Sequence, residues 1–535
     1  MGSKELLLGL FSLLFCGAGL LAQRIYPEDL IYRGAFRLPD VEPYEYSWNY
    51  GGSAMTYYPD GDESGPADGY PGSIFGVGHD WNMYVSEITI PVPVVSEIKS
   101  VDDLNTAETL QSFQNVRGDL FRDSKGDELF YEIIRVGMQY LPPQGMQTTG
   151  KLHFVWGQHF QEERQDPSHM WCEVNLSDPR PRGGWYFGTY TNYVTNDYIF
   201  DIPEEWADEH APGHRLATGR FRDGGWSGQG PALFAYSPWQ NDNPSRENDT
   251  ITQIVPLLLF GIQEEGSRYI TCHDSMMMNG YKEADEWSGG AWLTSGGRSA
   301  VIFVGTKGIG ECWYGLADGT VWPDSPPYPE DPLNQRGWWC EKFEGQIIFY
   351  DPGDLAAVVE GEISSYDPQP YAVLNIDPYL FSVDSSQQKS HVGAACFDRE
   401  RGLLYIFELF ADGEKPIVHV WQIEGDSDVD QNKKSSSEYK ILKTYPNPFN
   451  SEIMIEYNLE TEAEIEIAIY DVNGCEEIEL ASGIKSSGTY SIRWNGKDKS
   501  KRQVSSGIHL CILKGRERGS GRGSFIIVKK LIFLK

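Results

Sequence analysis

The sequence predicts an all-β protein, a large β-propeller-like body followed by a small Ig-like β-sandwich. Three observations carry this. The 535 residues include 57 Gly and 31 Pro, with 40% apolar and 13% aromatic content, a mixture that favours turn-rich sheets over long helices. A Gly-rich approach, a small residue and a short apolar run recur along the body, as repeated antiparallel meanders require. The C-terminal end alternates apolar and polar residues between turn signals, the period-two pattern of half-buried strands.

Taken in order, residues 1–22 read as a signal peptide. Leu6 to Ala22 is apolar, Lys4 precedes it, and Gly17, Ala18, Gly19 and Ala22 are small. The run is short for a bilayer span. Phe15 stands where a small residue is wanted before a lipidated cysteine. Without Cys16, seven of the eight cysteines remain, so an exported chain keeps at least one free thiol. Cys312 and Cys340 flank a Trp/Pro/Gly-rich segment and are the favoured disulfide, with Cys475 and Cys511 a second candidate pair in the tail.

The body spans residues 23–425. Its recurring pattern is seen in "SWNYGGSAMTYYP", "QTTGKLHFVWG", "GGWSGQGPALFAYSP", "EWSGGAWLTSG" and "KSHVGAACFD", with equivalent positions near Ala54, Leu152, Ala232, Ala291 and Ala394. Innermost blade strands crowd the propeller axis, so small residues belong there. Larger ones such as Ile74, Phe75, Leu404 and Ile406 suit the next strand. The irregular spacing gives about five to seven blades. A two-sheet sandwich or jelly roll is the competing architecture. Short helices are expected at "IPEEWADEHAPG" and "DPGDLAAVVEG", the second with Asp354 as N-cap and Gly361 as stop. Residues 426–438 mix acid, lysine and serine without periodicity and read as a linker. Residues 439–535 read as short alternating strands, with "DVNG" and "WNGKD" as hairpin turns, the rhythm of a small Ig-like sandwich.

Charge narrows the partners. The net charge is −34, but from Lys440 onward 15 Lys and Arg face 12 Asp and Glu, a balance of +3 that leaves −37 on the rest. So acidic a body repels nucleic acid and anionic membranes, leaving neutral glycans, cations or basic partners.

The chain contains no GxSxG, HExxH, P-loop or dinucleotide fingerprint. Three constellations remain. If the repeats are innermost strands, their approaches bring Trp48, Asn49, Tyr50, Trp226, Ser227, Gln229, Trp287, Ser288 and His391 around the channel mouth. Aromatic faces beside amides and hydroxyls suit sugar rings; the alternative is tryptophans packed between blades. The second is His79-Asp80-Trp81 and His273-Asp274-Ser275. Adjacent strand residues face opposite ways, so acid–base work there needs a turn, and a hydrogen bond closing a loop is the simpler reading. The third is Asp60, Asp62, Ser64 and Asp68 before and after Gly65, an oxygen spacing like that of a calcium loop. Pro71 stands where the loop's twelfth-position acid belongs, and an acidic turn without metal is the alternative. Three functions stay open: binding of a glycan or surface polymer; a propeller glycoside hydrolase or polysaccharide lyase; and a structural or protein-interaction module. The hydrolase would need two carboxylates roughly 5–10 Å apart, drawn from candidates such as Asp80, Asp274 and Glu286.

The tail carries a resemblance. Tyr445-Pro446-Asn447-Pro448-Phe449-Asn450 is followed in order by Ile469-Tyr470-Asp471-Val472-Asn473-Gly474, Trp494-Asn495-Gly496-Lys497-Asp498, Ser506-Gly507-Ile508 and a closing Lys529-Lys530-Leu531 strand. This series resembles the C-terminal sorting domain of type IX secretion cargo, itself similar to the Ig-like domain of flagellar hook-capping proteins. Cys475 and Ser451 depart from the usual pattern. The resemblance implies export by the signal peptide, recognition of the tail by the outer-membrane secretion machinery, and cleavage or anchoring at the surface. The body is similar to secreted propeller-like bacterial proteins through "GHDWNMYVSEITIP", "AVIFVGTKG" and "GWWCEKFEGQIIFYDPGDLAAV", a likeness that brings no activity and no site residues.

Overall fold

The structure is a computed structural model that describes residues 23–62, 65–122, 134–144, 147–158, 166–191, 194–220, 228–238, 248–267, 269–332, 335–383, 391–424, 440–445, 449–459, 463–470, 476–517 and 524–534. The expected signal peptide and linker lie outside them. The chain divides into two units, Met1–Asp426 and Ser427–Lys535.

Five sheets of the first unit each contain an antiparallel run of four strands, and none closes on itself; Arg182–Phe187 and Arg298–Gly315 also pair in parallel with the two-residue strands Thr250–Ile251 and Gln23–Arg24, and Ile262–Gln263 pairs with Ile270–Thr271 as a separate small sheet. The first blade comprises Met55–Tyr58, Ser73–Val77, Val85–Thr89 and Thr109–Gln114. The second comprises Ile134–Leu141, Lys151–Gln158, His169–Glu173 and Arg182–Phe187, and the third Tyr198–Asp201, Leu216–Gly219, Leu233–Tyr236 and Ile254–Leu258. The fourth comprises Glu286–Ser295, Arg298–Gly315, Gly337–Tyr350 and Ala372–Asn375. In the fifth, Val392–Asp398, Leu403–Asp412 and Lys415–Ile423 are joined by Leu30–Arg37 from the start of the body. Leu30 lies opposite Ile423 and Arg37 opposite Ile417. Each blade's leading strand packs beside that of the next, and the fifth returns to the first. The body is a five-bladed propeller-like ring.

The small residues of the leading strands have a steric cause. A Cβ on Gly137 would come within 2.8 Å of the Tyr198 backbone, and one on Gly289 within 2.8 Å of the Ala395 amide. Bulky residues fill the wedges between blades, where Phe75, Trp156, Phe303 and Tyr405 are fully or almost fully buried. Ala54, Ala291 and Ala394 occupy leading strands or their approach, as expected. Leu152 does not, since it lies on the second strand of its blade, and Ala232 precedes the third strand of its own. The close approach at Ala232 is to Gly219 of the adjacent strand, where the Ala232 carbonyl fills the space that a side chain on residue 219 would need.

Two short helices, Glu204–His210 and Pro352–Val359, fall at the expected segments. The N-cap of the second is Asp351, not Asp354. Its carboxylate accepts from the Gly353 amide at 2.8 Å and Pro352 opens the first turn. Gly361 follows the helix in the left-handed region (φ 74°), the stop expected of it. Among the described residues no helix is long and apolar enough to cross a membrane.

In the second unit Lys440–Tyr445, Ile453–Leu459 and Gly488–Trp494 form one sheet, and Glu476–Lys485, Ala463–Tyr470, Gly507–Glu517 and Ser524–Phe533 the other. The alternation read from the sequence places Ile453, Ile455, Tyr457 and Leu459 in the shared core with Ile465, Ile467, Ile469 and Trp494.

Candidate functional site

Burial redistributes the predicted ring of approach residues. Trp48 and Trp287 are wholly buried. Trp48 meets the edge of Phe113 at 4.9 Å and lies 6.4 Å from Phe407; Trp287 belongs to the apolar core that joins the third and fourth blades. Both fill wedges, and neither face is open to a sugar. His391 is buried, its amide donating to Thr306 Oγ1 at 3.0 Å. Asn49 is half-buried with its amide on Ser47 Oγ. Gln229 approaches the third strand of its blade, its amide bound to the Phe260 carbonyl. Trp226 and Ser227 lie outside the described residues. Ser288 is half-buried.

Tyr50 is different. It is 40% exposed and meets two other segments. The loop of residues 44–51 leads into the first blade, the turn of residues 78–84 joins that blade's second and third strands, and the turn of residues 410–414 joins the equivalent strands of the fifth. All three therefore sit at one end of the ring. His79 is the hub. Its ring lies 5.2 Å from Tyr44, 5.6 Å from Tyr50 and 5.2 Å from Trp81. Tyr46 stacks on Tyr84 at 5.3 Å and Tyr50 meets Phe410 edge-on at 5.9 Å. The Tyr44 and Tyr50 hydroxyls donate to opposite oxygens of Glu414, at 2.8 and 2.7 Å. These bonds hold the Glu414 carboxyl below the usual carboxylate range and raise both phenols.

The surface shows two marks of a built site. Trp81 is 76% exposed, and Tyr44, Tyr46 and Phe410 are 40–42% exposed, so a contiguous aromatic patch faces solvent. Tyr50, Met83 and Phe410 also hold left-handed backbone (φ 55°, 51° and 58°), which costs of order 1 kcal/mol or more for a residue with a side chain and clusters where geometry serves a ligand. The expected turn at His79-Asp80-Trp81 is present, as the amides of Asn82 and Met83 bond back to the His79 carbonyl. Nδ1 of His79 accepts from the Trp81 amide at 3.2 Å and lies 3.1 Å from Asp80 Oδ1. The sequence reading missed Tyr44, Tyr46, Tyr84, Phe410 and Glu414. The tyrosine-rich "YEYSWNY" was the available signal, whereas nothing in "FADGEK" marks it as a neighbour.

The remaining candidates do not converge. Asp80 lies on the turn just described, Asp274 in the short 3-10 helix Asp274–Met276, and Glu286 opens the leading strand of the fourth blade. Asp60 and Asp68 are exposed, Asp68 Oδ1 accepting from the Tyr70 amide at 2.8 Å, and Ser64 lies outside the described residues. Among the described residues no group of three or more His, Cys, Asp or Glu could hold a metal, and the expected calcium loop is described only in part, since residues 63 and 64 lie outside them. Cys312 and Cys340 are joined in a disulfide. Cys172, Cys272, Cys396 and Cys511 are free thiols, so Cys511 is not paired with Cys475, a residue outside the described set.

In the tail, Phe449 is the one described side chain of the hexapeptide that enters the core. It lies 5.4 Å from Trp494 and 5.0 Å from Phe533, and its carbonyl accepts from the Leu534 amide at 2.7 Å. Tyr445 ends a strand opposite Met454, Asn450 is exposed, and Pro446, Asn447 and Pro448 lie outside the described residues. Residues 443–511 match the family described as the secretion system C-terminal sorting domain. The tail carries a type IX sorting domain. This sorting domain directs the chain to the cell surface or beyond and implies contact with the secretion machinery.

No curated protein matches the chain. Among solved structures, an extracellular domain of a one component system from B. thetaiotaomicron shares 11% identity over 91% of this chain and 56% of its own, with a TM-score of 0.24. This chain thus spans little more than half of that one. A glycoside hydrolase family 43 arabinoxylan arabinofuranohydrolase from Bacillus subtilis shares 8% over 92% and 96%, with a TM-score of 0.31. A fungal alcohol oxidase of the AA5 family shares 10% over 89% and 85%, with a TM-score of 0.24. At these scores the fold description rests on the sheet topology and not on the neighbours.

Proposed function

We propose that the protein is an exported surface protein whose body binds a glycan through the aromatic surface formed by residues 44–50, 79–84 and 410–414. In this reading residues 1–22 are the signal peptide, 23–425 the binding body, 426–438 a linker and 439–535 the Ig-like sorting tail. The observation that carries it is the exposed Trp81 beside Tyr44 and Tyr50, with Glu414 held in place by both phenols. Flat apolar faces receive the C–H side of a pyranose while fixed oxygens receive its hydroxyls. The strained backbone at Tyr50 and Phe410 supports the same reading, because free folding would not select it.

A glycan array probed with the purified chain tests this. The expected outcome is retention on a subset of glycans, lost in the Tyr44→Ala/Trp81→Ala double variant. Both side chains are exposed enough that the fold should survive. Retention nowhere, or retention indifferent to both substitutions, would refute the assignment.

A further inference from the structure

The aromatic surface has a charge as well as a shape. Resting on the glycan reading, we propose that it selects sugars carrying a protonated amine, as in a polyglucosamine chain, over neutral and acidic sugars.

The carboxylates are on the surface and the nearby bases are occupied. Glu414 stands between Tyr44 and Tyr50 with each oxygen taking one phenolic hydrogen bond, which leaves a lone pair on each oxygen for a ligand. The Asp80 side chain is 56% exposed beside Trp81. Two bases that contact the 410–414 turn are bound by acids. Arg37 Nε lies 3.0 Å from Asp412, and Lys415 lies 3.2 Å from Asp412 and also binds Asp40. A uronate would therefore meet carboxylates, beside two bases that are already paired with acids. An ammonium group would meet two carboxylates and the faces of Trp and Tyr, whose quadrupoles attract cations.

A second observation is independent of these acids. His79 is 3% exposed, ringed by Tyr44, Tyr50 and Trp81, and its Nε2 is buried with no hydrogen-bond partner among the described residues. A buried ring nitrogen left unpaired is costly. Its position under the patch fits a site whose polar complement is completed by what binds above it.

Calorimetric titration of the purified chain with three β-1,4-linked hexasaccharides isolates the amine. The glucose, N-acetylglucosamine and glucosamine hexamers differ at C2 alone, and the measurement is made at about 0.15 M salt, below the pKa of the amine. The glucosamine hexamer is expected to bind about tenfold tighter than the glucose hexamer. Glu414→Gln, whose amide oxygen can accept from one phenol while its amide N–H donates to the oxygen of the other, should remove that advantage. Trp81→Ala should remove binding of every hexamer. Glu209→Gln, an exposed carboxylate on the helix Glu204–His210, should change nothing. Equal affinity for the glucose and glucosamine hexamers, both lost in Trp81→Ala, would overturn amine selection and leave the glycan reading standing. An amine advantage that survives Glu414→Gln would overturn it too, as diffuse attraction to an acidic body. Binding of no hexamer would overturn amine selection and leave the glycan reading to the array.

Discussion

His153 and His169 set how the body responds to acid. They sit on neighbouring strands of the second blade, both fully buried. His153 Nε2 donates to Gln147 Oε1 at 2.9 Å, and the His169 ring stacks on Phe187 at 4.6 Å. Burial pulls both imidazoles down to about 3. An unfolded chain protonates histidine near pH 6.5, so between about 6.5 and 3 the unfolded state takes up protons that the native state refuses. Their contribution is complete above pH 6.5 and is lost as pH falls, at up to about 1.4 kcal/mol per pH unit for each. Asp285 works the other way. Burial lifts it to about 6 against the pull of Lys307, whose Nζ lies 2.8 Å away. Between about pH 4 and 6 the native state holds a proton that the unfolded state has released, so this group adds stability as pH falls. In that window Asp285 offsets one of the two histidines. Denaturant midpoints at pH 7, 6 and 5 should therefore decline for the wild type, and His169→Phe should flatten most of the decline. Parallel curves for the two proteins would contradict the assignment.

At the scale of elements, the two longest strands of the fourth blade outrun it. Arg298–Gly315 and Gly337–Tyr350 pair with each other beyond their neighbours, and Cys312 faces Cys340 across the ladder. The bridge closes a loop of 28 residues, worth about 3.5 kcal/mol in the chain-entropy account. Trp313, Trp338 and Trp339 pack around it as a small cluster of their own. Reduction should expose residues 316–336 to a protease while the blades stay resistant, read as one early cut in a time course. A uniform cleavage rate in both redox states would argue against a locally stapled arm. The sequence showed this pair because the cysteines flank a segment dense in Trp, Pro and Gly. It misled at Leu152 and Ala232 because Gly next to a small residue records any close backbone approach, and Ala232 meets Gly219 of its own blade rather than the axis. The aromatic surface could not be read at all from local pattern. Tyr44 and Glu414 are 370 residues apart, and only the joining of the first and fifth blades makes them neighbours.

At the scale of the whole molecule, the tail and the body present separate tests. Phe449 is 2% exposed between Trp494 and Phe533, and Phe449→Ala should cost the tail about 3–5 kcal/mol. A reporter fused to residues 439–535 should then remain in the periplasm of a host with type IX secretion. Asn450→Ala, at an exposed position of the same motif, should leave the tail's melting unchanged and so report recognition separately from folding. Undiminished export of the Phe449→Ala fusion would mean that the machinery reads the motif without the folded sandwich. The body's fifth blade carries a consequence in time. Tyr32, on the first long strand to be made, bonds to His419 on the last, 387 residues later. At about 5–20 residues per second of synthesis, that strand waits about 20–80 s for its partner. Until then the strand Leu30–Arg37 lacks its ladder partner Lys415–Ile423, and the ring cannot lock early. For a chain that must leave the cell, so late a lock postpones the compact state until nearly all of the body has been made.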